Sequence, residues 1–560
     1  MPGNRKLPRC PQPARFALAH SPPRRDLQAQ DGASLLRRII QYHIPTIRMK
    51  NTLLCLSLFF AAFSIPFAEL SMPNFFGDHM VLQAGKPVKL WGTAEPEATV
   101  AVQFAGKTFS TESNVEGKWS LHLPAMLVDA EGQPLQVVSG KDRLNFQDVL
   151  LGEVWLASGQ SNMEWPLERV DPEREAIMAA DLPEVRFFQA QRTTAASPQS
   201  DVPGTWTVSH PETAAKYSAV AYFFARKLNA ELGVPVGILQ CAWGGKPVET
   251  FTSRDALITT PSGASQIMNH DKQVAAYDEA EARANYEKAL AAHETAKKQW
   301  EATPKEERKS RAPRPPRMQR DPALIAGRPA TIWNGMVHPF VGYAVRGAIW
   351  YQGESNRRQP NDYEELFSVM INDWRAQWGD DFRFLWAQLA NFQQPVTEPG
   401  TNDGWAVIQD HQRRCLKLPK TGMAVINDIG DANDIHPKNK KDVGERLARW
   451  ALADDYGQDV IQSGPLYKSH TIEGDEVIVS FDYPAEGLKV RDGSALKHFE
   501  IKDAEGTWHW ADAEIDGSRV VISNRKVSQP TAARYAWAAN PEGANLINSE
   551  GLPASLFTTE

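Results

Sequence analysis

Three things are scarce in this chain, and each scarcity excludes something. Cysteine is the first: among 560 residues there are four, Cys10, Cys55, Cys241 and Cys415. No pair of Cys or His residues has the spacing of zinc ligands, so neither a metal nor any other cofactor is expected. Charge of one sign is the second. The 61 Lys and Arg are set against 68 Asp and Glu, giving a net charge of −7 and a pI of about 6.1. The electrostatic footprint of a nucleic-acid partner is therefore missing. Long apolar runs are the third. The run from Leu53 to Phe63 is too short for a comfortable membrane span, which takes about 20 residues. Material for a packed interior is plentiful, with 42% hydrophobic residues against 23% charged. The 17 Trp residues suit a core, and they also suit sugar-binding surfaces, where a flat ring stacks on C–H faces.

Residues 1–48 are rich in Arg, Pro and Gln and show no sustained apolar period. A new pattern begins at Met49: Lys50, the apolar run and then a small residue, Ala68. This order is that of a secretory signal peptide, with cleavage expected close to Glu69. The expected start of translation is therefore Met49, residues 1–48 being a mis-assigned extension and 49–68 the leader. An internal anchor or a buried apolar helix is the alternative. Cys55 lies inside the run without a small residue just before it, which argues against a lipoprotein. The expected location is secreted or periplasmic, with no membrane association beyond the leader. In an exported chain Cys241 and Cys415 would remain available to pair, a question of proximity that spacing leaves open.

At about 100–200 residues per domain, two to four units are expected. From Glu69 to about Leu150 the texture is all-β. Val100, Val102 and Phe104 alternate with other residues, as do Trp119, Leu121 and Leu123, with Gly-containing turns between. A small β-sandwich over 69–150 is expected. From 151 to 463 strand-like runs alternate with helical patterns. Val154 to Ala157, Val236 to Gln240, Gly347 to Tyr351, Phe382 to Trp386 and Met423 to Ile426 read as strands. Ala219 to Leu232, Tyr363 to Trp374 and Asp442 to Leu452 read as helices. Such alternation predicts a parallel sheet covered on both faces. One segment, 271–320, interrupts it. Asp271 to Glu301 is rich in Ala, Glu and Lys and reads as a single long solvated helix, followed by a Pro- and Arg-rich stretch. From 464 to 560 the β texture returns, with Val477 to Val479, Trp508 to Trp510 and Val520 to Ile522 as strands.

Four short segments carry the chemistry, each following an expected strand or a run of apolar residues. Gly159-Gln160-Ser161-Asn162-Met163 places a Ser at a strand-to-helix turn, where a hydroxyl can project into the crevice at the strand ends. It is not the Gly-x-Ser-x-Gly elbow, because position 163 is Met. Trp243-Gly244-Gly245 offers paired glycines that let backbone N–H groups approach a ligand. Trp350-Tyr351-Gln352-Gly353-Glu354-Ser355-Asn356 offers Gln352 as an amide donor to an oxyanion, and Glu354 as a group that orients either His436 or the substrate. Asp428-Ile429-Gly430-Asp431-Ala432-Asn433-Asp434-Ile435-His436-Pro437 places a His among carboxylates, as a general base held in one tautomer requires. A metal at Asp434 and His436 lacks an evident third ligand.

Taken together and in this order, these segments resemble the sialate O-acetylesterase family of the SGNH hydrolase superfamily. The resemblance runs from about Leu70 to the C-terminus. It includes His79-Met80-Val81-Leu82-Gln83 and Gly551-Leu552-Pro553-Ala554, and it leaves out the helical insertion and residues 1–48. It implies a flavodoxin-like three-layer α/β/α hydrolase domain, here flanked by small β-sandwich-like domains. It also implies Ser161 as nucleophile and His436 as base, with no cofactor. The oxyanion hole would come from the Ser161 backbone, a Gly of the Gly244-Gly245 pair and a side-chain amide. Gln160, Gln352, Glu354 and Asn356 complete the expected oxyanion and substrate-binding set. Two positions depart from the general superfamily pattern. Gln352 stands where an Asn-containing block is usual, and Asn433 occupies the position three before the His where the acid is usual. Asp434, two residues before His436, projects the same way as His436 if the segment is extended, and so ranks ahead of Asp431. A Ser–His dyad is the remaining option. The expected substrate is an acetylated carbohydrate: sialic acid first, with acetylated xylan or another polysaccharide as the alternative. A carbohydrate-binding protein without catalysis is the rival from another class. The oligomeric state is left open.

Overall fold

The computed structural model of the protein describes residues 69–170 and 173–560. The expected N-terminal extension and leader, with Cys10 and Cys55, lie outside the described residues. The alternating residues of the first part form strands: β1 (Val81–Gln83), β2 (Val88–Thr93), β3 (Thr99–Phe104), β4 (Lys107–Glu112), β5 (Lys118–Leu123), β6 (Asp129–Ser139) and β7 (Asp142–Gly159). In β3, Val100, Val102 and Phe104 are buried while Thr99 and Gln103 face solvent; in β5 the buried set is Trp119, Leu121 and Leu123. Strands β2 and β5 pair antiparallel. Strands β4, β3, β6 and β7 form an antiparallel ladder, with β1 parallel to β7.

Strand β7 is 18 residues long and serves two neighbourhoods. Its first part belongs to that ladder. Its second part enters a sheet with β8 (Leu182–Gln189), β9 (Trp206–Ser209), β10 (Val236–Ala242), β11 (Gly347–Tyr351), β12 (Arg383–Ala387) and β13 (Thr421–Ala424). The order is β13-β12-β11-β7-β10-β8-β9. Every neighbouring pair is parallel except β8 and β9 at the edge. Strands β10 and β11 are buried along their whole length, as their unbroken apolar character requires.

Register shows where the helices lie. Trp155 pairs with Gly347, and Ser158 pairs with Trp350, three residues further along each strand, so the two Trp rings point to opposite faces. Trp155 meets Phe224 of the helix Ala219–Leu232, with ring centroids 4.9 Å apart. Trp350 meets Phe367 and Trp374 of the helix Tyr363–Trp378, each at 6.1 Å. The first of these helices is bounded as its sequence dictates. Ser218 caps the Ala221 N–H, and Gly233 closes the other end at a positive φ of 64°. The helix Lys441–Asp454 packs beside it through Gly444, where a Cβ would lie 2.6 Å from the Val220 carbonyl oxygen.

Several expectations change. The single helix expected over Asp271 to Glu301 is two, Pro261–Ala275 and Glu279–Ala302. Asp278 starts the second by accepting the Glu281 N–H at 2.9 Å, a capping geometry that competes with continuous helix. Strands β8 and β9 and the helix Gly404–Arg414 have no counterpart in the sequence reading. Cys241 and Cys415 are not paired. The first lies in β10. The second packs against Ser368 of the helix Tyr363–Trp378, with burial pushing each thiol up to about 12. Trp155, Trp333, Trp350, Trp374 and Trp386 are all fully buried, so these Trp residues are core.

Beyond residue 464 the chain forms two four-stranded sheets and a two-stranded one around a second core that includes Val477, Val479, Val520, Ile522 and Phe557. Asn427 donates to the Ala554 carbonyl and Gln388 to Ser555 Oγ, which ties the C-terminal residues to the ends of β12 and β13.

The helix Glu279–Ala302 buries one residue, Ala282, and is otherwise open to solvent or half-buried. His270 Nε2 donates to the Pro322 carbonyl at 3.1 Å, so the chain returns close to where it left. Replacing residues 277–320 by a short Gly-Ser linker is expected to leave the thermal midpoint within about 3 °C, because little apolar surface is lost and closure is cheap when the ends are near. Loss of a cooperative melt would show that the excursion is part of the core.

Candidate active site

The carboxyl ends of β7, β10, β11 and β13 lie at one edge of the parallel sheet, and each of the four motifs follows one of them. Between β7 and the nucleophile turn stands Gly159, at φ 136°; a Cβ there would lie 2.3 Å from the Tyr351 carbonyl oxygen. That carbonyl accepts the Gln160 N–H at 2.9 Å. The end of β11 therefore holds the turn that delivers Ser161, the first residue of the short helix Ser161–Glu164.

Ser161 Oγ is 2.9 Å from His436 Nε2. The two residues are 275 positions apart in the chain, and the loop after β13 brings His436 in. The imidazole stacks on Trp165, with ring centroids 5.0 Å apart at 20°. Nε2 faces Ser161 and Nδ1 faces Asp434 Oδ1 at 3.5 Å. The same Oδ1 accepts the His436 backbone N–H at 2.9 Å, and Oδ2 accepts from Lys438 at 3.0 Å. Burial raises the Asp434 carboxyl, yet these two donors outweigh it and hold it below the usual carboxylate value. Asp431 instead accepts its own loop's Asn433 N–H. Asp428 is paired with Arg446 at 2.6 Å and Arg491 at 2.9 Å. Among the three carboxylates, Asp434 is the one that faces the imidazole.

The glycine pair lies directly against the nucleophile. A Cβ on Gly244 would come within 3.2 Å of Ser161 Cβ. The Gly244 N–H donates to Glu164 Oε2 at 2.9 Å, and Arg192 holds the other oxygen of that carboxylate. The Gly245 N–H has no protein acceptor among the described residues.

Gln352 is fully buried, and its two amide hydrogens go to the Lys246 carbonyl at 3.3 Å and Asn356 Oδ1 at 2.6 Å. Its Oε1 accepts from Tyr363. Asn356 in turn accepts the Val248 N–H and donates to Glu249 Oε2. These two amides fasten the segment after Gly245 to the end of β11, and Gln352 has no amide hydrogen to spare for a ligand. Gln160 Oε1 accepts the Ser355 N–H at 3.2 Å and acts as another such fastener.

Glu354 lies behind the nucleophile turn, where Oε1 accepts from Asn162 Nδ2. Burial raises its carboxyl above the usual value. Sequence reasoning overlooked Lys440, which sits in an Asn-Lys-Lys run that looks solvated but is buried. It also overlooked the Glu164–Arg192 pair and the Trp165 face. His436 is held below its ordinary value, first by burial and then by the charge of Lys440, with Asp434 opposing. A neutral imidazole beside a serine hydroxyl is the arrangement that accepts a proton from it. Among the described residues no helix is long and apolar enough to cross a membrane, and no cluster of three or more potential metal ligands is assembled.

No family model matches the chain. The sialate O-acetylesterase of Rattus norvegicus is 27% identical to it over 535 residues, which cover 87% of this chain and 93% of the rat protein. The Homo sapiens enzyme of the same name is 27% identical over 519 residues, covering 84% and 87%. The crystal structure of a carbohydrate acetylesterase from Xanthomonas citri is 34% identical and aligns with a TM-score of 0.73, over 88% of this chain and 99% of that one. The relatives span nearly the whole described chain, and the chain belongs to the sialate O-acetylesterase family of carboxylic ester hydrolases.

Proposed function

We propose that the protein removes O-acetyl groups from sialic acid or related acetylated carbohydrates through an acyl-enzyme on Ser161. The observation that carries this reading is the 2.9 Å contact between Ser161 Oγ and His436 Nε2. In this reading Ser161 Oγ attacks the acetyl carbonyl carbon while its proton passes to His436 Nε2. The Ser161 and Gly245 N–H groups receive the oxyanion. Gly244 is the poorer donor of the pair because its N–H is committed to Glu164. The intermediate collapses as the sugar oxygen leaves with the proton from Nε2. Water, deprotonated by His436, then attacks the acetyl carbonyl, and collapse breaks the bond to Ser161 Oγ, which takes the proton back from Nε2 as the acetyl group leaves as acetic acid. Asp434 stabilises the imidazolium from the Nδ1 side. Gln160, Gln352 and Asn356 keep the donor loops in place.

The reading includes a flavodoxin-like three-layer α/β/α SGNH domain over 151–463, flanked by β domains at 69–150 and 464–560. The parallel strand order and the opposite facing of Trp155 and Trp350 support it. It also includes export by a leader at 49–68, on the strength of the Lys50, apolar-run and Ala68 pattern. Acetate release from O-acetylated sialic acid, compared with acetylated xylan, tests the substrate.

Ser161→Ala is expected to fold normally and lose turnover of p-nitrophenyl acetate by several orders of magnitude, on the order of 10⁶. Near wild-type turnover would remove Ser161 from the reaction. Asp434→Asn is expected to lower kcat by about 10²–10⁴, the range set by loss of the correct tautomer. An unchanged kcat would leave a Ser–His dyad. The pH profile follows from His436. Its folded pKa lies below the ordinary 6.5, and the neutral form is the base. Activity therefore persists as pH falls through 6.5 and drops only at the lowered value. A midpoint of the acid limb of kcat/KM above 6.5 would contradict this.

A further inference from the structure

Behind the Ser161–His436 pair lies a cation that the reaction above does not use. Lys440 has no exposed surface, and its Nζ donates to Asn162 Oδ1 at 2.5 Å. In its ammonium form lysine has only donors, so it favours the Asn162 orientation with the amide oxygen toward Nζ. The other end then presents its two hydrogens to the Ile435 carbonyl at 3.0 Å, which can only accept, and to Glu354 Oε1 at 2.5 Å. Asn162 directly follows Ser161, and Ile435 directly precedes His436. A single side chain thus joins the nucleophile turn to the loop of the base.

Lys440 is surrounded by functional groups on several elements. Glu354 faces it from the turn after β11, and Asp434, His436 and Lys438 from its own loop. The rings of Tyr351 and Trp165 lie 5.4 and 5.8 Å from Nζ. Burial draws the ammonium down to about 7, with Glu354 and Asp434 opposing and Lys438 adding to the fall. A buried charge is costly to keep, and an apolar side chain of the same length would fill this space without that cost.

We propose that Lys440 is a positioning residue for ester hydrolysis, holding Asn162 in the one amide orientation that clamps the Ile435 carbonyl and so keeps His436 Nε2 in line with Ser161 Oγ. The inference rests on the Ser161–His436 reading. Without Lys440 the buried Asn162 oxygen loses its donor, and the amide that clamps the Ile435 carbonyl is held from one end only, so the His436 loop is less firmly placed. The charge has a second effect, because it disfavours a resting imidazolium and keeps His436 in its basic form.

Lys440→Met keeps the length of the stem and removes the ammonium. In the full chain, kcat on p-nitrophenyl acetate is expected to fall about 10–100-fold with KM within about threefold, as misplacement of a reacting group costs rate rather than binding. The acid limb of kcat/KM is expected to move up by about half a pH unit or more, as the nearby positive charge is lost. Asn162→Ala is expected to lower kcat to a similar extent. The double variant should be no more than about twofold worse than the weaker single, because both changes break the same link. Additive losses, or wild-type kcat with an unmoved acid limb in Lys440→Met, would overturn the proposal. If Lys440→Met does not fold, wild-type kcat in Asn162→Ala overturns it and a matching loss supports it. Ser161→Ala run in parallel separates the two ideas. An active Ser161→Ala rejects the site reading itself, whereas a dead Ser161→Ala beside an unaffected Lys440→Met rejects only the role of Lys440.

Discussion

At the carboxyl end of β7 the backbone of Gly159 lies so close to the Tyr351 carbonyl that a methyl group would fall 2.3 Å from its oxygen. This approach lets the last peptide of β11 accept the Gln160 N–H and so positions the turn on which Ser161 sits. The remaining parts follow from parallel pairing. Because β10, β11 and β7 run the same way, the glycine pair, the Gln352 turn and the nucleophile emerge at one edge, as ligands generally do in open parallel sheets. Strand β13 brings the His436 loop to the same edge from the far side of the order. A side chain at 159 would push apart the two strands whose ends must meet.

The amides around the site serve mainly to hold loops together. Gln160, Gln352 and Asn356 each bridge two segments, and Gln352 has both of its amide hydrogens and its oxygen engaged in doing so. An unpaired polar group is costly in a buried site, so a fully partnered amide such as Gln352 favours one arrangement of the loops it joins. Beside the nucleophile, the Gly245 N–H has no protein acceptor among the described residues. A fixed frame with a few free donors suits charge that develops during reaction, since nothing must reorganise when it appears.

Charge is distributed in two layers. Near solvent, Asp434 and Lys438 flank the imidazole, and Glu164 with Arg192 braces Gly244. Beneath them Lys440 and Glu354 are shielded from water and meet through Asn162. The C-terminal residues secure the outer loop. Arg491 reaches Asp428, and Asn427 holds the Ala554 carbonyl, so the loop that carries His436 is anchored at its start by a separate β layer. That anchoring also explains why Asp428, with two guanidinium partners, faces away from the imidazole.

Much of this was determined by the sequence alone. Strands β10 and β11 and the helix Ala219–Leu232 are legible because their apolar pattern, length and caps are local properties of the chain. The motifs around Ser161, Gly244 and His436 are legible because each is contiguous and follows a strand end. The regions read poorly are those where a distant partner decides. Strand β8 carries Pro183 and Arg186 amid its apolar residues, and Arg186 is tolerated only because Asp148 and the His79 carbonyl receive it. The helix break before Glu279 depends on one capping side chain. Cys241 and Cys415 are separated by the packing of different elements, which spacing does not encode. Gln352 looks like a free donor in sequence, and only the position of Asn356 and Lys246 shows its hydrogens to be taken. Lys440 sits in a polar run, and nothing local distinguishes it from its exposed-looking neighbours. Its burial exists only once the β7, β11 and β13 ends converge, because the acceptor that orients it belongs to Asn162, 278 residues away.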